Sequence, residues 1–324
     1  MSKAGIDARV LELDMAQESE RISLWLRDWT ARIAHKRGLV VAVSGGIDSS
    51  VCLGLSVRAL GAKRVFALLL PEQDSNDGSG ERGRELVAHL GVRHEHLDIA
   101  SALEALGCYR WRDEAVRSVI PDFGVGWRMK IVLEGGQEGS FNRFKVVARS
   151  PAEETFERIL PLSPYLQVVA ATNFKQRVRK TVEYCHADRL NYAVVGTPNL
   201  LEYDQGFFVK NGDGSADIKP IAHLYKTQVY AMARHLGLPA AICAATPTTD
   251  TYSLEQSQEE FYFGLPYAAM DLALWCVNHG ESAETLARAL NIESQKAIWI
   301  YEDIAAKRRA ARYLHASPET LLPR

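Results

Sequence analysis

Leu39-Val40-Val41-Ala42-Val43-Ser44-Gly45-Gly46-Ile47-Asp48-Ser49-Ser50 is an apolar run broken by paired glycines, and Val51, Cys52, Leu53 and Leu55 follow it. Five consecutive apolar, mostly β-branched residues predict a strand buried on both faces, as a parallel sheet requires. Gly45 and Gly46 permit the sharp turn, and apolar residues spaced three and four apart then open a helix. The N-terminus of that helix carries unpaired N–H donors and the positive end of its dipole, with Ser44, Ser49 and Ser50 adding hydroxyls. Such a turn is a seat for an anion, phosphate above all.

The pattern continues on both sides. Residues 16–36 carry apolar positions at helical spacing and predict an amphipathic helix leading into the sheet. Residues 49–60 predict the helix after the turn, closed by Gly61, and residues 64–70 a second buried strand. Residues 72–80 read as a polar loop, residues 81–90 as a helix stopped by Gly91, and residues 94–99 as a third strand. His94 and His96 alternate on that strand and fit an exposed face better than a metal site, since no third ligand stands at a matching spacing. Strand alternating with helix defines the expected fold class: α/β, a doubly wound parallel sheet, whose ligands bind beyond the carboxyl ends of the strands.

From residue 108 to about 167 the chain changes character, with Trp111, Trp127 and many cations. Two extended runs, 130–133 and 144–148, flank Gly135 and Gly136 and predict a hairpin. This stretch is expected to be an insertion or lid on a nucleotide-binding domain spanning residues 1–260, with a helical C-terminal extension over 261–324. Residues 174–190 predict a further helix and 192–195 a further strand, ending in Gly196-Thr197-Pro198-Asn199. Residues 282–301 have the look of helix, turn, helix, better explained by packing than by DNA reading.

The composition is ordinary: 324 residues, 47% hydrophobic, 24% charged, formal net charge -2. That balance makes no electrostatic case for a nucleic acid or a membrane surface as partner. The first twenty residues carry Asp7, Glu12, Asp14, Glu18 and Glu20, unlike a signal or transit peptide. The five cysteines include no C-x-x-C pair and read as reduced thiols, so a cytoplasmic location is expected.

Ser44-Gly45-Gly46-Ile47-Asp48-Ser49 fits neither common nucleotide fingerprint, G-x-x-x-x-G-K-[ST] or G-x-G-x-x-G. It resembles instead the S-G-G-x-D-S pyrophosphate loop of ATP pyrophosphatases, which split ATP into AMP and pyrophosphate. Farther on stand Asn173, Arg177 and Arg179 as N-x-x-x-R-x-R, Gly196 to Glu202 as G-T-x-N-x-x-E, Phe207 to Gly214 as F-F-x-K-x-G-D-G, and Lys226. Acids and lysines set among glycines are hard to explain as packing and suit chemistry around a polyanion.

With the loop, this series is similar to the ammonia-dependent NAD synthetases. The resemblance implies a ligase that uses ATP and ammonia to amidate deamido-NAD through an adenylated carboxylate. It implies ATP contacts at Ser44, Gly45, Gly46, Asp48, Ser49, Thr197 and Lys226, and magnesium on Asp48, Glu202 and Thr248. Asp213 and Lys226 would be catalytic, and Arg177, Lys210, Asp217, Lys307 and Arg308 would bind deamido-NAD. A homodimer is implied as well. Glutamine-dependent members carry an amidase domain with a nucleophilic cysteine ahead of the loop. No cysteine precedes Ser44 here, so free ammonia or a separate glutaminase is the expected nitrogen source. Two departures bear on the acceptor: the 108–167 insertion, and residues 253–264, which only loosely follow the family's acidic segment. Amidation of another carboxylate and modification of a tRNA base are the alternatives.

Overall fold

The structure is a computed structural model that describes residues 6–134, 143–245, 252–254 and 265–321. Its centre is a parallel sheet of β1 (Leu39–Ala42), β2 (Val65–Leu69), β3 (Arg93–His96) and β7 (Ala193–Val195), in the order β3-β2-β1-β7. Leu39 stands opposite Val65 on one side and Ala193 on the other. Alternate side chains serve two different cores. Leu39, Val41, Val65, Ala67, Ala193 and Val195 pack into one apolar cluster, and Val40, Phe66, Leu68 and Val194 into another. A strand buried on both faces has no polar side to show, which is why the run 39–43 is uniformly apolar.

The first core is closed by α1 (Met15–Asp28), α2 (Ile47–Leu60), α8 (Lys226–His235) and α9 (Ala240–Cys243). Asp14 caps α1 by accepting from the N–H groups of Ala16 and Gln17. The helix ends sooner than its apolar spacing suggests, passing into one wide π turn over Trp29–Ile33. The second core is closed by α4 (Ala100–Ala105), α5 (Cys108–Arg117) and the long α6 (Leu162–Leu190). Between β2 and β3 runs α3 (Asp77–His89), capped by Asn76. It begins four residues before its expected start at Glu81, because Asn76 supplies a cap that the neighbouring glycines disguised as loop. All four residues of β3 are exposed, as expected for His94 and His96 on an edge strand.

A second sheet lies between α5 and α6: β4 (Arg128–Glu134), β5 (Arg143–Arg149) and β6 (Thr155–Ile159), antiparallel in that order. The expected hairpin is β4–β5, with Ile131 opposite Val146. Its third strand escaped the sequence reading because β6 is mostly exposed and carries charges. Helix α6 also starts twelve residues ahead of the expected Phe174, with Pro161 as cap and Pro164 in the first turn, where a missing N–H costs nothing.

The last part holds α7 (Leu200–Gln205), α10 (Tyr267–Asn278), α11 (Ala283–Leu290) and α12 (Ser294–His315). They share an apolar cluster around Leu201, Leu274, Leu286 and Ile304. Among the described residues no helix is long and apolar enough to cross a membrane.

Gly206 joins α7 to α12. It has φ +75°, and a Cβ there would lie 2.7 Å from the Cβ of Ala311. Gly206→Ala is expected to lower the unfolding free energy by about 1–3 kcal/mol through backbone strain and displacement of α12. Urea melts check this; an unchanged midpoint would mean that α12 is not seated against this turn.

Candidate active site at the carboxyl ends of the strands

The strand order reverses at β1, whose neighbours β2 and β7 diverge in sequence, and a crevice opens there at the carboxyl ends. Its floor is the 44–49 turn. Gly45 has φ +78°, and a Cβ on it would fall 2.0 Å from the carbonyl oxygen of Ser79, so no other residue fits. The Ser44 hydroxyl accepts from the Gly46 N–H at 3.2 Å and lies 3.1 Å from the Ser49 hydroxyl. The Ser50 hydroxyl donates back to the Gly46 carbonyl at 2.7 Å. Arg82 from α3 donates to the Gly45 carbonyl at 3.0 Å and to the Ser79 hydroxyl at 2.9 Å. The result is a rigid cradle at the start of α2 with hydroxyls and an arginine about it.

Asp48, in the first turn of α2, is the meeting point. One of its carboxylate oxygens accepts from the Asn199 side-chain amide at 2.8 Å, and the other is ion-paired with the fully buried Lys226 ammonium. Asn199 caps α7 in a reciprocal box with Glu202: its side chain accepts from the Glu202 N–H at 3.1 Å, and the Glu202 carboxylate accepts from the Asn199 N–H at 3.2 Å. Lys226 opens α8, whose first N–H groups are capped from α10 by Asp271. The Asp271 carboxylate accepts from Lys226 N at 3.2 Å and Thr227 N at 2.7 Å. Three helix N-termini thus converge on one carboxylate pair and one lysine.

Burial pushes the Glu202 carboxyl up to about 8, and the Asp48 charge adds to the shift while Lys226 opposes it. Burial works against the Lys226 ammonium too, but Asp48 and Glu202 outweigh it and hold that group above its ordinary value. Asp213 accepts from the Val209 N–H at 2.7 Å, and burial raises its carboxyl against that bond and the Lys180 charge.

The crevice is continuous with a cavity of about 1200 Å³. Of the expected site residues, Ser44, Gly46, Asp48, Ser49, Thr197, Glu202, Asp213 and Lys307 line it. Lys226 reaches it through Asp48. Thr248 lies outside the described residues. Four expected dinucleotide contacts are turned elsewhere. Arg177 donates to the Lys210 carbonyl at 3.2 Å. Lys210 donates to the carbonyls of Tyr313 and Ala316 at the C-terminal end of α12 at 2.8 and 3.2 Å. Asp217 accepts from the Val194 N–H at 2.7 Å, and Arg308 pairs with Asp204 at 2.8 Å. In place of Arg177 the cavity receives Arg179, bonded to the Leu70 carbonyl at 3.1 Å.

Sequence reading missed what holds the β2–α3 loop. Glu72 and Asp74 are buried on Lys175 of α6, and Asp74 also on Arg112 of α5. The Tyr109 hydroxyl donates to Glu72 at 2.8 Å. This clamp sets Gln73, Ser75 and Asn76 along the cavity wall. Lys180 and Glu183, paired at 2.6 Å, line it as well.

An α/β sheet with an anion cradle at its switch point, backed by paired carboxylates and a buried lysine, defines a nucleotide-binding enzyme fold. Comparison with known proteins narrows it. The family model for NAD synthase matches residues 18–134 and 143–311. An NH(3)-dependent NAD(+) synthetase of Rhizobium meliloti is 54% identical over 98% of this chain and 95% of its own. Its counterpart in Thermotoga maritima is 36% identical over 76% of this chain and 82% of its own. Among solved structures, the NH3-dependent NAD synthetase of Campylobacter jejuni superposes with a TM-score of 0.63 at 22% identity, covering 96% of this chain and 100% of that one. The chain belongs to the NAD synthase family.

The raised Glu202 carboxyl gives a pH signature. Its unfolded value is near 4.5 and its folded value about 8. The folded state therefore holds an extra proton in that window, and the stability Glu202 contributes is full below pH 4.5 and lost as pH rises towards 8. Glu202→Gln keeps the helix cap and removes the proton, so its unfolding free energy should fall less than the wild type's between pH 5 and 8. Parallel falls in denaturant melts would contradict a Glu202 carboxyl raised by burial.

Proposed function

We propose that this chain makes NAD by amidating deamido-NAD with ammonia, using ATP as co-substrate and releasing AMP and pyrophosphate. The observation that carries this reading is membership of the NAD synthase family, with the Rhizobium meliloti relative aligned over nearly its whole length. The nicotinate carboxylate attacks the α-phosphorus of ATP, and the bond to pyrophosphate breaks. Ammonia then adds to the acyl carbon of the adenylate, AMP leaves, and the amide nitrogen gives up a proton. Adenylation replaces a poor leaving group by a good one, and the protein's share is orientation and charge stabilisation.

In this reading the N–H groups and hydroxyls of Ser44, Gly45, Gly46 and Ser49 receive the phosphates, Thr197 borders them, and Lys226 offsets charge on the departing pyrophosphate. Asp213 would sit near the reacting carboxylate and the incoming ammonia, where a carboxyl raised by burial suits it to take the proton. Lys307, paired with Asp303 at 2.7 Å on the cavity wall, is assigned to deamido-NAD. For Arg177, Lys210, Asp217 and Arg308 the proposal is contact outside this single-chain cavity, at a homodimer interface.

Magnesium fits the donor set. Two adjacent carboxylates, one driven towards its protonated form by burial beside the other, are a place where added positive charge is favoured. Among the described residues no cluster of three candidate ligands exists. One or two carboxylates completed by phosphate oxygens and water is, however, an ordinary magnesium arrangement. Asp48 and Glu202 would hold the ion, with Thr248 as a third ligand, and it would supply charge neutralisation at the phosphates. The nitrogen source in the cell is proposed to be free ammonia or a separate glutaminase, and the location the cytoplasm.

The test is NAD and pyrophosphate formation by purified protein with ATP, magnesium and ammonium, offered deamido-NAD and a panel of other acids including nicotinate mononucleotide. Deamido-NAD alone should be turned over well, and Asp48→Ala should lose at least about a hundredfold in kcat/KM. Turnover of a different acid would move the function to another carboxylate. Turnover of none would reject the amidation reading.

A further inference from the structure

Part of the cavity wall is aromatic. There Phe144 of β5 and Tyr165 of α6 stack face to face, centroids 3.7 Å apart and planes inclined by 12°. Beside them lie Val169, Thr172 and Tyr252, and all five line the same cavity as the phosphate cradle. Tyr252 arrives from a distant part of the chain, after α9. It is brought in by the inserted sheet: β4 is an edge strand, and Met129 turns its N–H and carbonyl away from β5. The Met129 N–H donates to the Ser253 hydroxyl at 2.9 Å, and the Leu254 N–H donates to the Met129 carbonyl at 3.1 Å. Residues 252–254 are thus docked on the edge of β4 by one side-chain and one backbone hydrogen bond. Tyr252 then sinks into the apolar cluster of the insertion, among Val116, Met129, Ile131, Val146 and Val168. The inserted sheet therefore does two things at once: it presents Phe144 and it anchors Tyr252.

Resting on the amidation reading above, we propose that the insertion completes the substrate site. Phe144, Tyr165 and Tyr252 form an aromatic wall, held by the edge of β4, that binds a planar heterocyclic ring of one of the two nucleotide substrates. The chemistry is suited to such a ring. A flat apolar stack beside a buried phenol offers area to such a ring, and the anion-binding groups line the same cavity, as a nucleotide's mixed polarity demands. An appendage with no part in binding would not be expected to share a cavity wall with the cradle.

The ring could be the adenine of ATP or a ring of deamido-NAD, and kinetics separate them. Phe144→Leu and Tyr165→Leu keep apolar bulk and lose the flat face, so the fold should survive. Each should raise KM roughly 3- to 10-fold for the nucleotide whose ring is bound. A rise for ATP assigns adenine, and a rise for deamido-NAD assigns the dinucleotide. Ser253→Ala, which touches no ligand, should shift the same KM by a smaller factor by loosening Tyr252, and Ser253→Thr should restore it. Wild-type NAD formation is measured alongside, so that failure of the amidation reading shows in the unaltered protein. Both KM values unchanged in Phe144→Leu and Tyr165→Leu, whatever happens to kcat or melting temperature, would overturn the wall.

Discussion

The ion pair between Lys226 and Asp48 is the constraint on which the rest of this structure depends. A fully buried ammonium costs several kcal/mol unless it is paired and its partner is fixed, and the fold spends the ends of three helices on that fixing. Glycine turns α2 towards the crevice with Asp48 in its first turn. Asn199, itself locked by Glu202, holds the other oxygen of Asp48. Asp271 caps the helix that begins with Lys226. A cluster so built is poised for polyanions: the helix N-termini and the lysine favour negative charge, while the carboxylate pair favours a cation beside it.

The same knot explains why the C-terminal helices are part of the site rather than a support. Asp271 comes from α10, and Asp303, Ala306, Lys307 and Ala310 of α12 close one side of the cavity. The antiparallel sheet of β4, β5 and β6 closes another. A sheet with ligands at its switch point exposes them to water unless other elements wall the crevice. In this chain the walls come from segments remote in sequence from the strands that define the fold.

What the sequence disclosed follows from how local each signal is. The 39–50 stretch is readable because strand, turn and helix cap are all decided within a few residues. Asp48, Glu202 and Lys226 were singled out from motif spacing, and the fold brings them together. Helix α3 starts earlier than its pattern suggests because Gly78 and Gly80 mask the Asn76 cap, and β6 gives no signal because an exposed charged strand has no apolar alternation. Arg177 and Arg179 show the limit of a motif without a face. Residues 169, 172, 173, 176, 179, 180 and 183 all line the cavity, a stripe at helical spacing from which residue 177 is rotated away. Spacing from Asn173 alone points to Arg177, four residues on; only the whole stripe takes in Arg179 and leaves Arg177 outside. The Glu72–Asp74–Lys175–Arg112 clamp and the docking of Tyr252 on β4 join parts of the chain far apart, and no local pattern announces them.

The central claim, that this cavity adenylates the carboxylate of deamido-NAD before ammonia acts, is tested most directly by isotope exchange. Labelled pyrophosphate is incubated with ATP, magnesium, deamido-NAD and the protein, with ammonia left out. Reversible adenylation predicts label in ATP that requires deamido-NAD and disappears in Asp48→Ala. No labelled ATP under conditions where adding ammonia yields NAD, or label that appears without deamido-NAD, would contradict the account.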